Sequence, residues 1–146
     1  MNEKEKLRIA AETGAIFESG FHCSEAVLLG AGGHLLGELH PQSVRLATPF
    51  AGGMGSTNLE LCGALTGALM VIGGLYGRTE AGAEDARCQE MAAAYRAAFL
   101  RRFGWLKCQD LKDNWIGNYG QPNCRALVEG ATQLLMELLE EQPYSG

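Results

Sequence analysis

The feature that most constrains this chain is the stretch at residues 57–77, TNLELCGALTGALMVIGGLYG. Its apolar run, residues 61–75, is too short and too glycine-rich to span a membrane. It therefore predicts a helix buried in the core. Thr57 and Glu60 have the spacing of a capping box, so the helix is expected to open at Thr57. Gly63, Gly67 and Gly74 recur at helical offsets and share one face. Glycine inside a helix costs roughly 1 kcal/mol against alanine. Three on one face imply that another backbone, or a group with little room to spare, lies against it. Cys62 stands beside Gly63, near the helix start.

A chain of 146 residues is expected to form one domain, residues 1–146, large enough for a real core. A net charge of −5 leaves no basic surface for nucleic acid. The opening MNEKEKL is charged, with no apolar segment, so no signal peptide, anchor or membrane insertion is expected and the cytoplasm is the default location. In that setting five cysteines point to metal, redox chemistry or burial rather than structural disulfides.

Elsewhere helical spacing recurs and strand alternation does not persist. The first helix is predicted over 3–19, capped by Asn2, with Leu7, Ala10, Gly14 and Phe17 inward and Gly20 as its stop. A second runs over 23–37, with a break expected at Gly30-Ala31-Gly32-Gly33. A third starts at Pro41 and ends before Pro49. The loop Ala51-Gly52-Gly53-Met54-Gly55-Ser56 leads into the central helix. A further helix spans 84–103, with Cys88, Met91, Tyr95, Phe99 and either Arg102 or Phe103 inward. Residues 105–123 read as irregular, with a helical turn after Lys107. The last helix covers 124–141, capped by Asn123 after Pro122, with Cys124, Leu127, Ala131, Leu134, Leu135 and Leu138 inward. Residues 142–146 are expected to fray. The predicted fold is an all-α bundle of five or six helices around the glycine-faced central one.

Cys23, Cys62 and Cys124 each fall at or beside a predicted helix start, and Cys108 opens the short turn. A helix amino end carries partial positive charge and unpaired amides, which lower a thiol pKa and favour the thiolate. The arrangement suits either an anionic iron–sulfur core or reactive thiols. Burial as small apolar residues is the plain alternative, and it is favoured for Cys88, mid-helix on an apolar stripe. Cys23, Cys62, Cys108 and Cys124 sit 39, 46 and 16 residues apart. No C-x-x-C pair occurs, which argues against zinc fingers, thioredoxin-type motifs and common ferredoxin spacings.

The segment Gly20-Phe21-His22-Cys23-Ser24-Glu25-Ala26-Val27 resembles the Gly-x-x-Cys-x-x-x-Val element of the redox-active C_GCAxxG_C_C proteins. Cys62-Gly63-Ala64-Leu65-Thr66-Gly67 is similar to their Cys-Gly-Ala-x-x-Gly signature. The Gly52-Gly53-Met54-Gly55 loop and the order of Cys108 and Cys124 resemble the family too; Cys88 has no counterpart there. The resemblance implies a small redox domain like one found beside haem in split-Soret cytochromes, where a 2Fe–2S site is suspected. No C-x-x-C-H haem site occurs here, so no haem role is carried over.

Three functions follow as expectations. In the first, Cys23, Cys62, Cys108 and Cys124 hold an iron–sulfur cluster of the 2Fe–2S type, for electron transfer or redox sensing. Gly63 and Gly67 would then give room to the cluster or to a neighbouring helix. In the second, Cys23 and Cys62 form a thiol–disulfide pair, with zinc binding as a lesser variant of the set. The third is a metal-free helical interaction domain. An electron-transfer protein is favoured over a stand-alone enzyme. The redox partner is unspecified, and surplus apolar surface makes a homodimer an option. His22 adjoins Cys23 as a candidate ligand or proton donor, whereas His34 and His40 show no partner by spacing. The glycine loop lacks the lysine of a P-loop and reads as a tight turn. Arg101, Arg102 and Lys107 form a basic group suited to a helix carboxyl end. Trp105, Trp115 and Tyr119 are expected to shield the site from water.

Overall fold

The computed structural model describes residues 1–117 and 123–141. Among these the chain forms seven α-helices, one 3-10 turn and no strand, so the fold is all-α. The helices are α1 (Glu3–Glu18), α2 (Cys23–Leu36), α3 (Pro41–Ala47), α4 (Gly63–Tyr76), α5 (Ala86–Phe103), α6 (Cys108–Asn114) and α7 (Cys124–Glu141). The seventh, beyond the five or six expected, is α6, the turn after Lys107 grown to seven residues.

Asn2 caps α1 as expected, its Oδ1 accepting from the Glu5 amide at 2.8 Å. The buried face differs from the apolar pattern. Lys6, Ile9, Ala10, Thr13 and Gly14 are buried, whereas Leu7 is 52% exposed. The helix packs on both α2 and α7, so two neighbours rather than one set its inner face. Thr13 tolerates burial because its hydroxyl donates to the Ile9 carbonyl at 2.8 Å.

The break expected at residues 30–33 does not occur; α2 is continuous to Leu36 and closes at Gly37, φ +85°. Gly30 admits α1 instead, since a Cβ there would lie 2.7 Å from the Thr13 Cβ. His40 has a role that spacing did not show: its Nδ1 accepts from the Gln42 amide at 3.1 Å and caps α3. Helix α3 ends before Pro49, but Thr48 keeps helical angles and a 3-10 turn, Thr48–Phe50, carries the chain through the proline.

The expected start of α4 at Thr57 is overturned. Cys62 is the N-cap and Gly63 the first helical residue. Thr57 turns its hydroxyl to the Gly53 and Met54 carbonyls, both at 2.9 Å. Residues 58–62 pair instead with the chain entering α6. Leu61 and Lys107 form an isolated antiparallel bridge. The Cys62 amide donates to Leu106 at 2.8 Å, and the Cys108 amide to Glu60 at 2.9 Å. These bonds hold the segment out of the helix, so a local capping signature yields to long-range pairing.

The three-glycine face of α4 lies against α2, as the spacing predicted. A Cβ on Gly67 would sit 2.7 Å from the Ser24 carbonyl oxygen, and one on Gly74 would meet the Leu36 side chain. On its other sides α4 packs against α5 and α7. Met91, Tyr95, Phe99 and Phe103 form the inner stripe of α5. Arg102 points outward and pairs with Glu137 of α7 at 2.7 Å. The Tyr95 hydroxyl donates to the Ala131 carbonyl of α7 at 2.7 Å. In α7, Leu127, Ala131, Leu134, Leu135 and Leu138 are buried as expected. The Asn123 side chain accepts from the Arg125 amide at 2.8 Å. Pro122 and residues 142–146 lie outside the described residues. No helix among the described residues is long and apolar enough to cross a membrane.

Candidate functional site

Helices α2, α6 and α7 begin at Cys23, Cys108 and Cys124, and Cys62 caps α4. These four cysteines line one cavity of about 300 Å³. His22, Asn58 and Lys112 share its wall, and Phe17, Leu111 and Ile116 supply apolar cover. Cys88 is half-buried on α5 and does not line the cavity. All five cysteines are free thiols.

Each wall has a local cause. The start of α2 is pinned by Glu25, whose carboxylate accepts from the His22 amide at 2.9 Å and the Thr48 hydroxyl at 2.7 Å. The Ser24 hydroxyl donates to the Ala47 carbonyl at 2.8 Å. Cys23 is thereby held over the start of α4, where a Cβ on Gly63 would collide with its sulfur. The glycine loop before α4 winds left-handed, with positive φ from Gly52 through Ser56 and again at Asn58. Gly53, at φ +70°, brings that loop against α6: a Cβ there would lie 2.8 Å from the Cys108 Cβ. Gly67 does not line the cavity and instead makes room for the α2 backbone.

Burial governs the thiols. It pushes Cys62 well above the ordinary thiol range, and the nearby Cys23 adds to the effect. The Ala64 and Leu65 amides at the start of α4 pull the other way without offsetting it. Burial also raises Cys108, against the opposing charge of Lys112, and raises Cys124, with Cys23 contributing. The expectation that helix starts would depress these thiols therefore fails at Cys62, Cys108 and Cys124, because desolvation outweighs the amides.

The tryptophans were expected over this site and lie elsewhere. Trp105 and Trp115 line a separate cavity of about 340 Å³ with Arg101 and Arg102. Trp115 packs edge-on against Phe103, with ring centroids 5.3 Å apart. Tyr119 lies outside the described residues. Sequence reasoning missed Asn58 and Lys112. Lys112 stands four residues after Cys108 on α6, a helical spacing that places both on one face. Asn58 follows a glycine-rich loop and tolerates the left-handed backbone, φ +64°, that such a loop imposes.

Among the described residues, no three histidine, cysteine or acidic side chains converge tightly enough to hold a single metal ion. The sulfurs border a space rather than closing on a point.

Residues 21–138 match the family described as Putative redox-active protein (C_GCAxxG_C_C). The chain belongs to this family. No curated protein and no solved structure is significantly similar to it. The match covers all four cysteines of the cavity.

Proposed function

We propose that this protein is an electron-transfer or redox-sensing protein that holds an iron–sulfur cluster, of the 2Fe–2S type, through Cys23, Cys62, Cys108 and Cys124. The observation that carries the reading is one cavity lined by four cysteines drawn from four helices. Its size, about 300 Å³, is at the small end of ligand sites and suits a compact inorganic group. Buried thiols whose protons are held tightly are poor nucleophiles but remain good ligands once a metal displaces those protons. Such a cluster, when bound, takes up and gives back one electron. The protein's part is to supply sulfur, exclude water with Phe17, Leu111 and Ile116, and offer the Ala64 and Leu65 amides and Lys112 as positive poise.

Anaerobic reconstitution with iron and sulfide, followed by metal and sulfide analysis and a visible spectrum, tests the reading. Bound iron and sulfide with charge-transfer bands are expected, and they should be lost on Cys62→Ser. Colourless, iron-free protein overturns it.

A second reading has one observation behind it. Cys23 lies close enough to Cys62 for its charge to raise the Cys62 thiol further, as in a pair placed to form a disulfide. Mass analysis after alkylation of oxidised and reduced protein separates the two. The buried, raised thiol of Cys62 makes it a poor attacking group, which ranks this reading second.

A further inference from the structure

Among the described residues, Lys112 is the one lysine or arginine on the cavity wall. Its Nζ donates to the Asn58 Oδ1 at 2.9 Å, and the same oxygen accepts from the Cys108 thiol at 3.4 Å. Asn58 is fixed by its own backbone: its amide donates to Gly52 at 2.8 Å, and its carbonyl accepts from Gln109 at 3.1 Å. The bracket therefore ties the left-handed loop to α6 and holds a cation beside one sulfur of the set. The shared Asn58 oxygen thus brings the Lys112 ammonium close to the Cys108 sulfur, and its charge opposes the effect of burial on that thiol. Once Cys108 gives up its proton to become a ligand, the thiol donor vanishes. The Asn58 Oδ1 still accepts from Lys112, which remains as the charged group beside the sulfur.

We infer that Lys112, positioned by Asn58, sets the reduction potential of the centre at its Cys108 corner. This assignment rests on the cluster reading above. Adding an electron makes a thiolate-ligated centre more negative, and a fixed cation nearby stabilises that state. Loss of the cation therefore lowers the potential. Lys112 is a positioning and tuning residue, because it acts through the Cys108 sulfur.

The test is a potentiometric titration of anaerobically reconstituted protein, with iron and sulfide counted for every variant. Lys112 is solvent-exposed on α6, so its substitution is expected to leave the fold intact. Lys112→Met should keep its iron and shift to a lower potential. Lys112→Arg should return the potential toward wild type. Lys4→Met removes the same charge from the exposed start of α1, outside the cavity, and should shift the potential far less. An iron-loaded Lys112→Met at the wild-type potential overturns the assignment alone. So does a Lys4→Met shift of equal size, which would mean that only net charge matters. A wild-type protein that takes up no iron overturns the cluster reading and the assignment together.

Discussion

A single methyl group separates two neighbouring glycines in what they protect. A Cβ on Gly67 would face the Ser24 carbonyl oxygen at 2.7 Å and the Ser24 Cα at 3.2 Å, backbone atoms that cannot swing aside. Gly67→Ala should therefore force α2 and α4 apart and cost about 1–3 kcal/mol, read as a lower urea midpoint. A Cβ on Gly63 would press hardest on the Cys23 sulfur, the tip of a side chain that can rotate, with the Ser24 amide and Phe50 carbonyl less tightly met at 3.2 and 3.3 Å. Gly63→Ala should cost less stability than Gly67→Ala but turn Cys23 out of the cavity, and so lose more iron on reconstitution. That α4 presents a tight face was legible from the glycine spacing. Which glycine met the sulfur most tightly and which met backbone was not, because that depends on where α2 crosses. The thiols carry a pH prediction at the same scale. Cys62, Cys108 and Cys124 all lie above their ordinary 9.0 in the metal-free fold. The unfolded chain releases these protons near pH 9 while the folded chain keeps them, so their contribution is complete below that pH and is lost as pH rises. Metal-free protein should lose stability above pH 9 in denaturant titrations, and Cys62→Ala should flatten that decline.

At the scale of elements, local signals held where the partner was also local. Asn2 caps α1, Gly104 ends α5 in the left-handed conformation at φ +84°, and Asn123 serves the start of α7. They failed at Thr57 and Glu60, where the residues have a capping spacing but the backbone pairs with residues 106–108, nearly fifty positions on. Nothing near Thr57 announces that competitor. Gly30 of α2 misled in the same way, since its purpose lies on α1. The stripe of α5 was legible because its periodicity is long, and it predicts which contact joins α5 to α7. The Tyr95 hydroxyl is fully buried on the Ala131 carbonyl. Tyr95→Phe removes donor and bond together and should cost about 1 kcal/mol, seen as a lower midpoint with an unchanged denaturant slope.

Across the whole molecule, the site exists because packing brings together four helix starts that the sequence scatters over residues 23–124. No spacing rule encodes that, and the resemblance to a cysteine-ordered family supplied what periodicity lacked. Two of the walls belong to α1 and α7, through Phe17 and Cys124, and these helices pack along each other. At the end of this pair farthest from the cavity, the Lys6 Nζ lies 2.6 Å from a Glu140 oxygen, and the Met1 ammonium lies 3.4 Å from the other. Hydrogen bonding to Lys6 holds the Glu140 carboxyl below its ordinary 4.5. A carboxyl lowered in the fold stabilises the protein above the unfolded value, and that contribution fades as pH falls through the folded one. Glu140→Gln should therefore melt below wild type at neutral pH, with the gap closing under pH 4.5 as the wild-type carboxyl takes up its proton. The clamp grips the far ends of α1 and α7, so the cavity itself is left alone and iron uptake at neutral pH should be unchanged. A variant that lost iron as readily as it lost melting temperature would mean that the α1–α7 pair transmits strain along its length to Cys124. Calorimetry across the acid range, with metal analysis on the same samples, distinguishes the two.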